Sequence, residues 1–171
     1  LDSDHLVRSG PDSLNGREIF VVRDQLQAIM DRSPKAGTWA LEARRIAAGV
    51  PRIGLDTDHR TIPNEIGILG TAVHLDKGCY RGQETVARVH NLGRPPRRLV
   101  LLHLDGVATD QPPPRGTAVT NEDGRAVGFV GTALRHFELG MITLAVLKRN
   151  VPDGAVLRIG ESVAAIDPGS I

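Results

Sequence analysis

The sequence predicts an α+β protein in which a mixed α/β segment precedes an all-β domain. Helical spacing of apolar residues is confined to the first half of the chain, and short β-rich runs separated by turn residues fill the second half. Pro95 and Pro96 lie between the two parts. We therefore expect a mixed segment over residues 1–94 and a β domain over residues 95–171. Short strands joined by turns are typical of a small antiparallel barrel or a sandwich, and the pattern leaves both open.

The mixed segment begins with two expected strands, residues 5–9 and 18–23, on either side of the turn-rich stretch SGPDSLNG. Residues 24–33 then show helical spacing. A second helix is expected from Thr38, its N-cap, to Gly49, its C-terminal stop. The residues expected to face the core are Leu26, Ile29 and Met30 on the first helix and Trp39, Ala43 and Ile46 on the second.

Residues 51–76 contain two prolines and show no sustained period. Irregular segments of this length in compact domains are often functional. The stretch KGCYRGQE, residues 77–84, follows directly and leads into a third expected helix. Val86, Val89 and His90 fall at helical spacing in that helix, and Gly93 ends it.

Composition favours a soluble globular protein, because 40% of the residues are apolar and 24% are charged. No apolar run approaches the roughly 20 residues that cross a bilayer, so no membrane partner is expected. The single cysteine cannot form an intramolecular disulfide, and the cytoplasm is the expected compartment. The chain begins at Leu1 rather than at methionine, which suggests a fragment or a processed chain.

The net charge of +1 conceals a basic cluster between residues 77 and 100. This stretch contains six cations and one anion, Glu84, so its net charge is +5. The cations are Lys77, Arg81, Arg88, Arg94, Arg97 and Arg98. Such a cluster can bind a phosphate, a polyglutamate tail or RNA, although a solvated face is the better interpretation from charge alone. RNA is the weaker partner, because aromatic residues make up only 3% of the chain and base stacking needs them.

Cys79 is the first candidate for a reactive residue. Nearby cations and a helix N-terminus favour the nucleophilic thiolate, and Lys77 and Arg81 each lie two residues away. The alternative is a buried cysteine that acts as a small hydrophobe, which is the commoner role. The polar, glycine-rich neighbours of Cys79 are unsuited to a core position, so the reactive interpretation is favoured.

Two further charged residues are candidates for ligand binding. Glu65 follows the proline of TIPNEIG, and a carboxylate held there can accept paired N–H bonds from an amino-pyrimidine ring. An exposed loop glutamate is the alternative, and from the sequence it is the better one. Arg45 lies beside Arg44 on the second helix, so one of the two can reach inward to an anion while the other is solvated. The alternative is that both arginines are solvated.

A metal site made by this chain alone is not expected. The only combination worth testing, His74, Cys79 and His90, matches no standard zinc spacing. Cys79 could still bind a cluster that another protein shares.

Three stretches in fixed order, RRIAAGVPRIGLDTD, TIPNEIG and DKGCYRGQETVARVHNLG, resemble the YgfZ family. YgfZ proteins are folate-binding relatives of the T-protein, the aminomethyltransferase of the glycine cleavage system. The stretch KGCYRGQE matches their signature throughout. The resemblance implies a three-part, ring-like arrangement around a folate site that ends in a small β-barrel. It also implies support of iron–sulfur cluster assembly or repair with tetrahydrofolate, and a link to tRNA modification.

The resemblance assigns roles to individual positions. Cys79 and Lys77 would be the catalytic residues of the signature. Tetrahydrofolate, the implied cofactor, would be bound by Arg45, Glu65, Tyr80, Gln83 and Glu84.

The chain departs from the family in two respects. The family usually has a glutamate where this chain has Ala47, so that possible folate contact is absent. The chain also resembles only the C-terminal half of a family member. The missing N-terminal segment is therefore an expected partner, and without it exposed apolar surface would favour self-association.

The sequence thus predicts a folate-binding protein that supports iron–sulfur enzymes or their assembly factors through Cys79. One alternative is a tetrahydrofolate-dependent aminomethyltransferase like the T-protein, which ordinarily has no cysteine at this position. Another is a non-catalytic RNA-binding or tRNA-modification factor.

Overall fold

The computed structural model describes residues 6–9, 14–106 and 110–169. Strands β1 (Leu6–Ser9) and β2 (Arg17–Phe20) form an antiparallel pair, as predicted. The second strand ends at Phe20 rather than at residue 23, because a 3-10 turn already begins at Arg23. The predicted strand residue His5 lies outside the described residues.

The helices of the described part are α1 (Leu26–Met30), α2 (Thr38–Ala47), α3 (Leu69–Ala72) and α4 (Gln83–Leu92). Helix α2 begins at Thr38 as its first helical residue, because Gly37 and not Thr38 occupies the N-cap. Both predicted C-terminal glycines adopt the left-handed conformation that ends a helix, with φ of 68° at Gly49 and 66° at Gly93.

The predicted core face of the first two helices is only partly correct. Ala43 and Ile46 are buried, but Trp39 is 76% exposed. Leu26 and Met30 of α1 are 45% and 42% exposed. The reason is that α2 packs against the second domain only along the side that carries Ala43 and Ile46, while α1 has no buried residue at all.

The second domain is a closed barrel of six antiparallel strands, which confirms a barrel rather than a sandwich. Its strands pair in the order β3-β6-β5-β4-β7-β8. Their bounds are β3 Arg97–Leu104, β4 Ala118–Thr120, β5 Ala126–His136, β6 Gly140–Lys148, β7 Leu157–Ile159 and β8 Ser162–Ile166. Closure removes the exposed strand edges that an open sheet would present.

Two apolar clusters explain the long hydrophobic runs of β3 and β6. Val100, Leu102, Ala145 and Leu147 point into the barrel. The alternate residues point outward and pack with Ile46 and Ile66 of the first domain: Leu99, Leu101, Ile142, Leu144 and Val146. Both faces of these strands are therefore buried, and the alternation of polar and apolar residues is lost.

A buried carboxylate, Asp56, joins the irregular segment to both α2 and the barrel. Its Oδ2 accepts hydrogen bonds from Arg45 Nη1 and from the backbone N–H of Arg52, both at 2.8 Å. Its Oδ1 accepts from the backbone N–H of Thr132 in β5 at 2.6 Å. Position 131 must be glycine, because a Cβ at Gly131 would lie 2.5 Å from that same oxygen. A buried charge is tolerated because it is paired and hydrogen-bonded in this way.

Among the residues that the structure describes, no helix combines the length and the apolar character that crossing a bilayer requires.

Replacing Asp56 by asparagine should destabilise the protein by about 3 kcal/mol, because buried Arg45 would lose one of its two carboxylate partners and keep only Glu42. Urea unfolding measures this change in the free energy of unfolding when all variants are fitted with the same dependence on urea concentration. The matched control is Asp110→Asn, since Asp110 is 85% exposed and pairs with Arg135 on the surface. The control should cost less than about 1 kcal/mol. Equal losses in the two variants would contradict the role given to Asp56.

Candidate functional site

The KGCYRGQE stretch forms a surface loop between α3 and α4. Cys79 is exposed, so it is not the buried small hydrophobe of the alternative interpretation. Tyr80 is half-buried, and Lys77 Nζ lies 5.6 Å from the centroid of its ring, within the range of a cation–π contact. The backbone N–H of Gln83 donates to the carbonyl of Tyr80 at 3.2 Å. The chain then enters α4 through Gly82, whose φ is 82°.

Helix α4 supports this loop from the inside of the domain. Val86 is its buried residue, and Gln83 is half-buried, whereas Glu84 is exposed at the start of the helix. The helix packs against the 3-10 turn Pro63–Glu65 of the TIPNEIG stretch. The same turn also contacts β3 and α3, so α4 is connected to the barrel wall through this turn.

Arg97, the first residue of β3, holds the turn with two of its guanidinium nitrogens. Its Nε donates to Glu65 Oε1 and its Nη2 donates to Glu65 Oε2, both at 2.9 Å. Glu65 Oε2 also accepts from the backbone N–H of Ile62 at 3.1 Å. Glu65 is buried, so the expectation of an exposed loop glutamate is wrong. Glu65 can be buried because the two hydrogen bonds from Arg97 replace those that water would make to its carboxylate.

The same guanidinium holds a second carboxylate, Asp58. Arg97 Nη1 donates to Asp58 Oδ2 at 2.8 Å and Nη2 donates to Oδ1 at 3.1 Å. The Thr61 hydroxyl donates to Asp58 Oδ1 at 2.7 Å. These bonds, above all those from Arg97, hold the pKa of Asp58 well below its usual range. The hydrogen bonds that Arg97 donates to Glu65, and after them those it donates to Asp58, raise the pKa of Arg97 above its ordinary value.

Arg45 lies in a separate cluster. It points inward while Arg44 is exposed, which agrees with the prediction that one of the two reaches an internal anion. That anion is Asp56, and Arg45 also donates to Glu42 Oε2 at 3.0 Å and to the carbonyl of Val50 at 2.6 Å. Within the described part of the chain, Arg45 Nη2 has no hydrogen-bond partner, and Arg45 bonds to none of the other predicted site residues.

The structure therefore divides the predicted site residues into two groups. Five lie on the loop or on the first turn of α4: Lys77, Cys79, Tyr80, Gln83 and Glu84. Glu65 lies behind them in the turn on which α4 packs, and Arg45 belongs to the Asp56 cluster. Sequence reasoning missed Asp56, Asp58 and the pairing role of Arg97. The signal was two closely spaced aspartates, LDTD, in the segment that follows the helix of Arg45.

The basic cluster is smaller than its sequence suggested. Arg97 is paired as described, and Arg98 donates to the carbonyl of Val151 at 3.0 Å and pairs with Asp153. Four cations are left exposed and without an ion pair among the described residues: Lys77, Arg81, Arg88 and Arg94. The described part also contains no group of three or more side chains that could hold a metal ion.

Comparison with known proteins gives concordant matches. The chain is 35% identical to the tRNA-modifying protein YgfZ of Buchnera aphidicola over 121 residues, which are 68% of this chain and 37% of that protein. It is 30% identical to the YgfZ of Yersinia enterocolitica over 169 residues, which are 91% of this chain and 50% of that protein. The chain thus spans half or less of the length of these relatives. No protein-family model matches it.

A solved structure resembles the fold over nearly the whole chain. It is the glycine cleavage system aminomethyltransferase T of Bartonella henselae, with a TM-score of 0.72 at 18% identity. The match covers 95% of this chain and 48% of the Bartonella chain. At this identity the likeness establishes the fold.

Asp58 should make the protein sensitive to acid. Its pKa in the folded state lies below the ordinary 3.8, so the unfolded chain binds more protons than the folded one as the pH falls past that value. The stabilisation by Asp58 is therefore fully present above about pH 5 and decreases as the pH falls through about 4. Urea unfolding of the chain and of Asp58→Asn should show a stability gap that narrows on acidification. A gap that stays constant from about pH 6 to pH 3 would contradict this assignment.

Proposed function

We propose, since this chain belongs to the YgfZ family, that it binds tetrahydrofolate and supports the assembly or repair of iron–sulfur clusters. Cys79 is the reactive residue in this proposal. The observation that carries it is the exposure of Cys79 in a loop whose cations, Lys77 and Arg81, are not paired with acidic side chains of the described chain.

The chemistry of this loop suits a thiolate. A thiolate is both the nucleophilic form of cysteine and the form that binds iron, and nearby positive charge favours it. Lys77 and Arg81 each lie two residues from Cys79 in the sequence, and Lys77 lies against Tyr80 in the same loop. We assign Cys79 the role of ligand to an iron atom of a partner's cluster. The iron–sulfur enzyme or assembly factor is the substrate in this scheme.

The residues around the loop fit a folate in their donor and acceptor chemistry. Tyr80 offers a half-buried ring face, Gln83 an amide and Glu84 an exposed carboxylate, which together suit the amino-pyrimidine edge of a pterin. Of the five buried side-chain polar atoms without a hydrogen-bond partner among the described residues, two belong to predicted site residues or their neighbours: Arg45 Nη2, a donor, and Asn64 Oδ1, an acceptor beside Glu65. When bound, tetrahydrofolate would supply a carried one-carbon group.

Glu65 and Arg45 are not the main pterin-binding residues in this proposal. Both oxygens of Glu65 already accept hydrogen bonds, so Glu65 would act by orienting the turn that supports α4. Arg45 retains only its Nη2 for a ligand. Binding to pterin is therefore assigned chiefly to Tyr80, Gln83 and Glu84.

The relatives are about twice as long as this chain or longer. A segment that corresponds to their unmatched part would be a further partner. Among the described residues before residue 42, the exposed large hydrophobic ones are Leu6, Val7, Phe20, Val22, Leu26, Met30, Trp39 and Leu41. A two-stranded hairpin such as β1–β2 is at best marginally stable alone, and α1 is a single short helix. We propose that the N-terminal segment of a family member covers this surface, and that the protein works in the cytoplasm.

Support of tRNA modification is the second candidate, because the relatives are described as tRNA-modifying proteins. It would use the same cysteine loop. Aminomethyl transfer has less support, since the likeness to the T-protein concerns the fold and gives Cys79 no part.

Replacing Cys79 by serine should remove the function while leaving the fold intact, because the exposed thiol has no packing role. The measurement is the activity of an iron–sulfur enzyme in cells that lack their own YgfZ protein and express this chain. We expect at least a tenfold lower rescue by Cys79→Ser, in line with roughly that order of effect for loss of a metal-binding contact. Thr85→Ser, an exposed change on the adjacent helix, is the control and should rescue normally. Equal rescue by both variants would remove the thiol from the mechanism.

A further inference from the structure

Asn15 is the one asparagine of the chain that is followed by glycine, and the pair lies at the end of the loop between β1 and β2. Both residues are exposed. Among the described residues, Asn15 is also the only non-glycine residue with a positive φ, at 45°. Asparagine tolerates this left-handed conformation better than most residues, and Asn-Gly pairs are frequent in the turns of hairpins. The pair thus suits the turn, and it also brings two reactive groups together.

The two reactive groups are the side-chain amide of Asn15 and the backbone nitrogen of Gly16. Within the described part of the chain, the Asn15 side chain forms no hydrogen bond and the Gly16 N–H donates to no acceptor. The space around Gly16 is open, since a Cβ there would meet only the carbonyl oxygen of Leu14, at 3.9 Å. A side chain at position 16 would crowd the approach of this nitrogen to another group, and glycine has none. The nitrogen is therefore free to approach the amide carbon, Cγ, of Asn15.

The other four asparagines are held away from such an attack. The N–H that follows Asn64 donates to a backbone carbonyl at 2.9 Å, and the N–H that follows Asn150 donates to another at 3.2 Å. Asn91 lies inside α4, where the backbone N–H groups are engaged in the helix. In Asn121 the side chain itself is engaged, because Oδ1 accepts from a backbone N–H at 2.9 Å and Nδ2 donates to a carboxylate at 3.3 Å. Asn15 differs from all four in having both groups free among the described residues.

We propose that Asn15 is a site of spontaneous deamidation, and that its product loosens the β1–β2 hairpin. The backbone nitrogen of Gly16 forms a bond to Cγ of Asn15, the bond from Cγ to Nδ2 breaks, and the amide proton of Gly16 leaves with Nδ2 as ammonia. Water then opens the resulting succinimide ring at one of its two carbonyl groups, which gives aspartate or isoaspartate. The reaction needs neither an enzyme nor an oxidant. It is independent of the proposed folate function.

The product changes the loop that joins the two strands. Both aspartate and isoaspartate carry a new negative charge, and isoaspartate also places its β-carbon in the main chain, which lengthens the loop. The loop sets the register in which Ser9 faces Arg17, and the carbonyl of Leu14 in this loop accepts a hydrogen bond from Arg44 Nη2 of α2 at 3.2 Å. A two-stranded hairpin is marginally stable, so a longer main chain directly before β2 should weaken its pairing with β1.

The test follows the folded 171-residue chain during storage at neutral and at alkaline pH. Peptide mapping by mass spectrometry measures the conversion of amide to acid at each asparagine, and an isoaspartyl methyltransferase with labelled S-adenosylmethionine identifies isoaspartate. We expect Asn15 to convert before the other four asparagines, and faster at alkaline pH because the attacking nitrogen must lose its proton. Gly16→Ala should slow the conversion about tenfold, the factor that about 1.4 kcal/mol of activation free energy gives. This variant should fold, because a Cβ at position 16 makes only an ordinary contact.

Amide hydrogen exchange then compares the fresh chain with the converted one. The amides of Val7 in β1 and Ile19 in β2 should exchange faster after conversion, while those of β6 keep their protection. Gly16→Ala stored for the same time is the matched control and should keep its original exchange. Conversion in a free peptide of residues 9–17 but not in the folded chain would overturn the site, as would equal conversion at all five asparagines. Unchanged exchange at Val7 and Ile19 after conversion would overturn the effect on the hairpin.

Discussion

Arg97 is the residue on which the arrangement of the candidate site depends. It lies at the first position of the barrel and pairs with Glu65 and Asp58, which are 32 and 39 residues away in the sequence. Glu65 is buried, and a buried carboxylate costs several kcal/mol unless its lone pairs are satisfied. One guanidinium meets this need for two carboxylates. The turn Pro63–Glu65 is consequently fixed to the barrel wall, and α4 packs on that turn.

A second charged centre repeats this principle on the other side of the irregular segment. Asp56 joins Arg45 of α2, the backbone at Arg52 and the β5 strand at Thr132. Between these two centres, residues 51–68 are held to the barrel although they form little regular structure. The cysteine loop follows this segment after the short helix α3. Its exposed thiol is thus carried on a framework of paired buried charges, while the cations of the loop itself stay unpaired and available to ligands.

Much of this fold could be predicted from the sequence, and the failures at the candidate site have one physical origin. Glycines at 49 and 93 ended helices as expected, because the left-handed conformation is a local property. The turn-separated strands predicted a small barrel or a sandwich, and the family resemblance implied the barrel. Pairing between distant charges has no such local signal: Asp56 binds a backbone N–H 76 residues away. Counting Arg97 and Arg98 as part of a ligand-binding cluster was therefore wrong, since both are neutralised by acidic residues from other elements.

Amide hydrogen exchange in Arg97→Lys tests most directly whether the barrel positions the site through this guanidinium. Lysine keeps the charge but loses the planar donors that bind two carboxylates together. We predict that the amides of α4 near Val86 exchange about tenfold faster or more, while those of β6 keep their protection. Arg98→Lys, at the neighbouring position, should leave α4 unchanged. Unaltered exchange in α4, or equal acceleration in α4 and β6, would contradict the account.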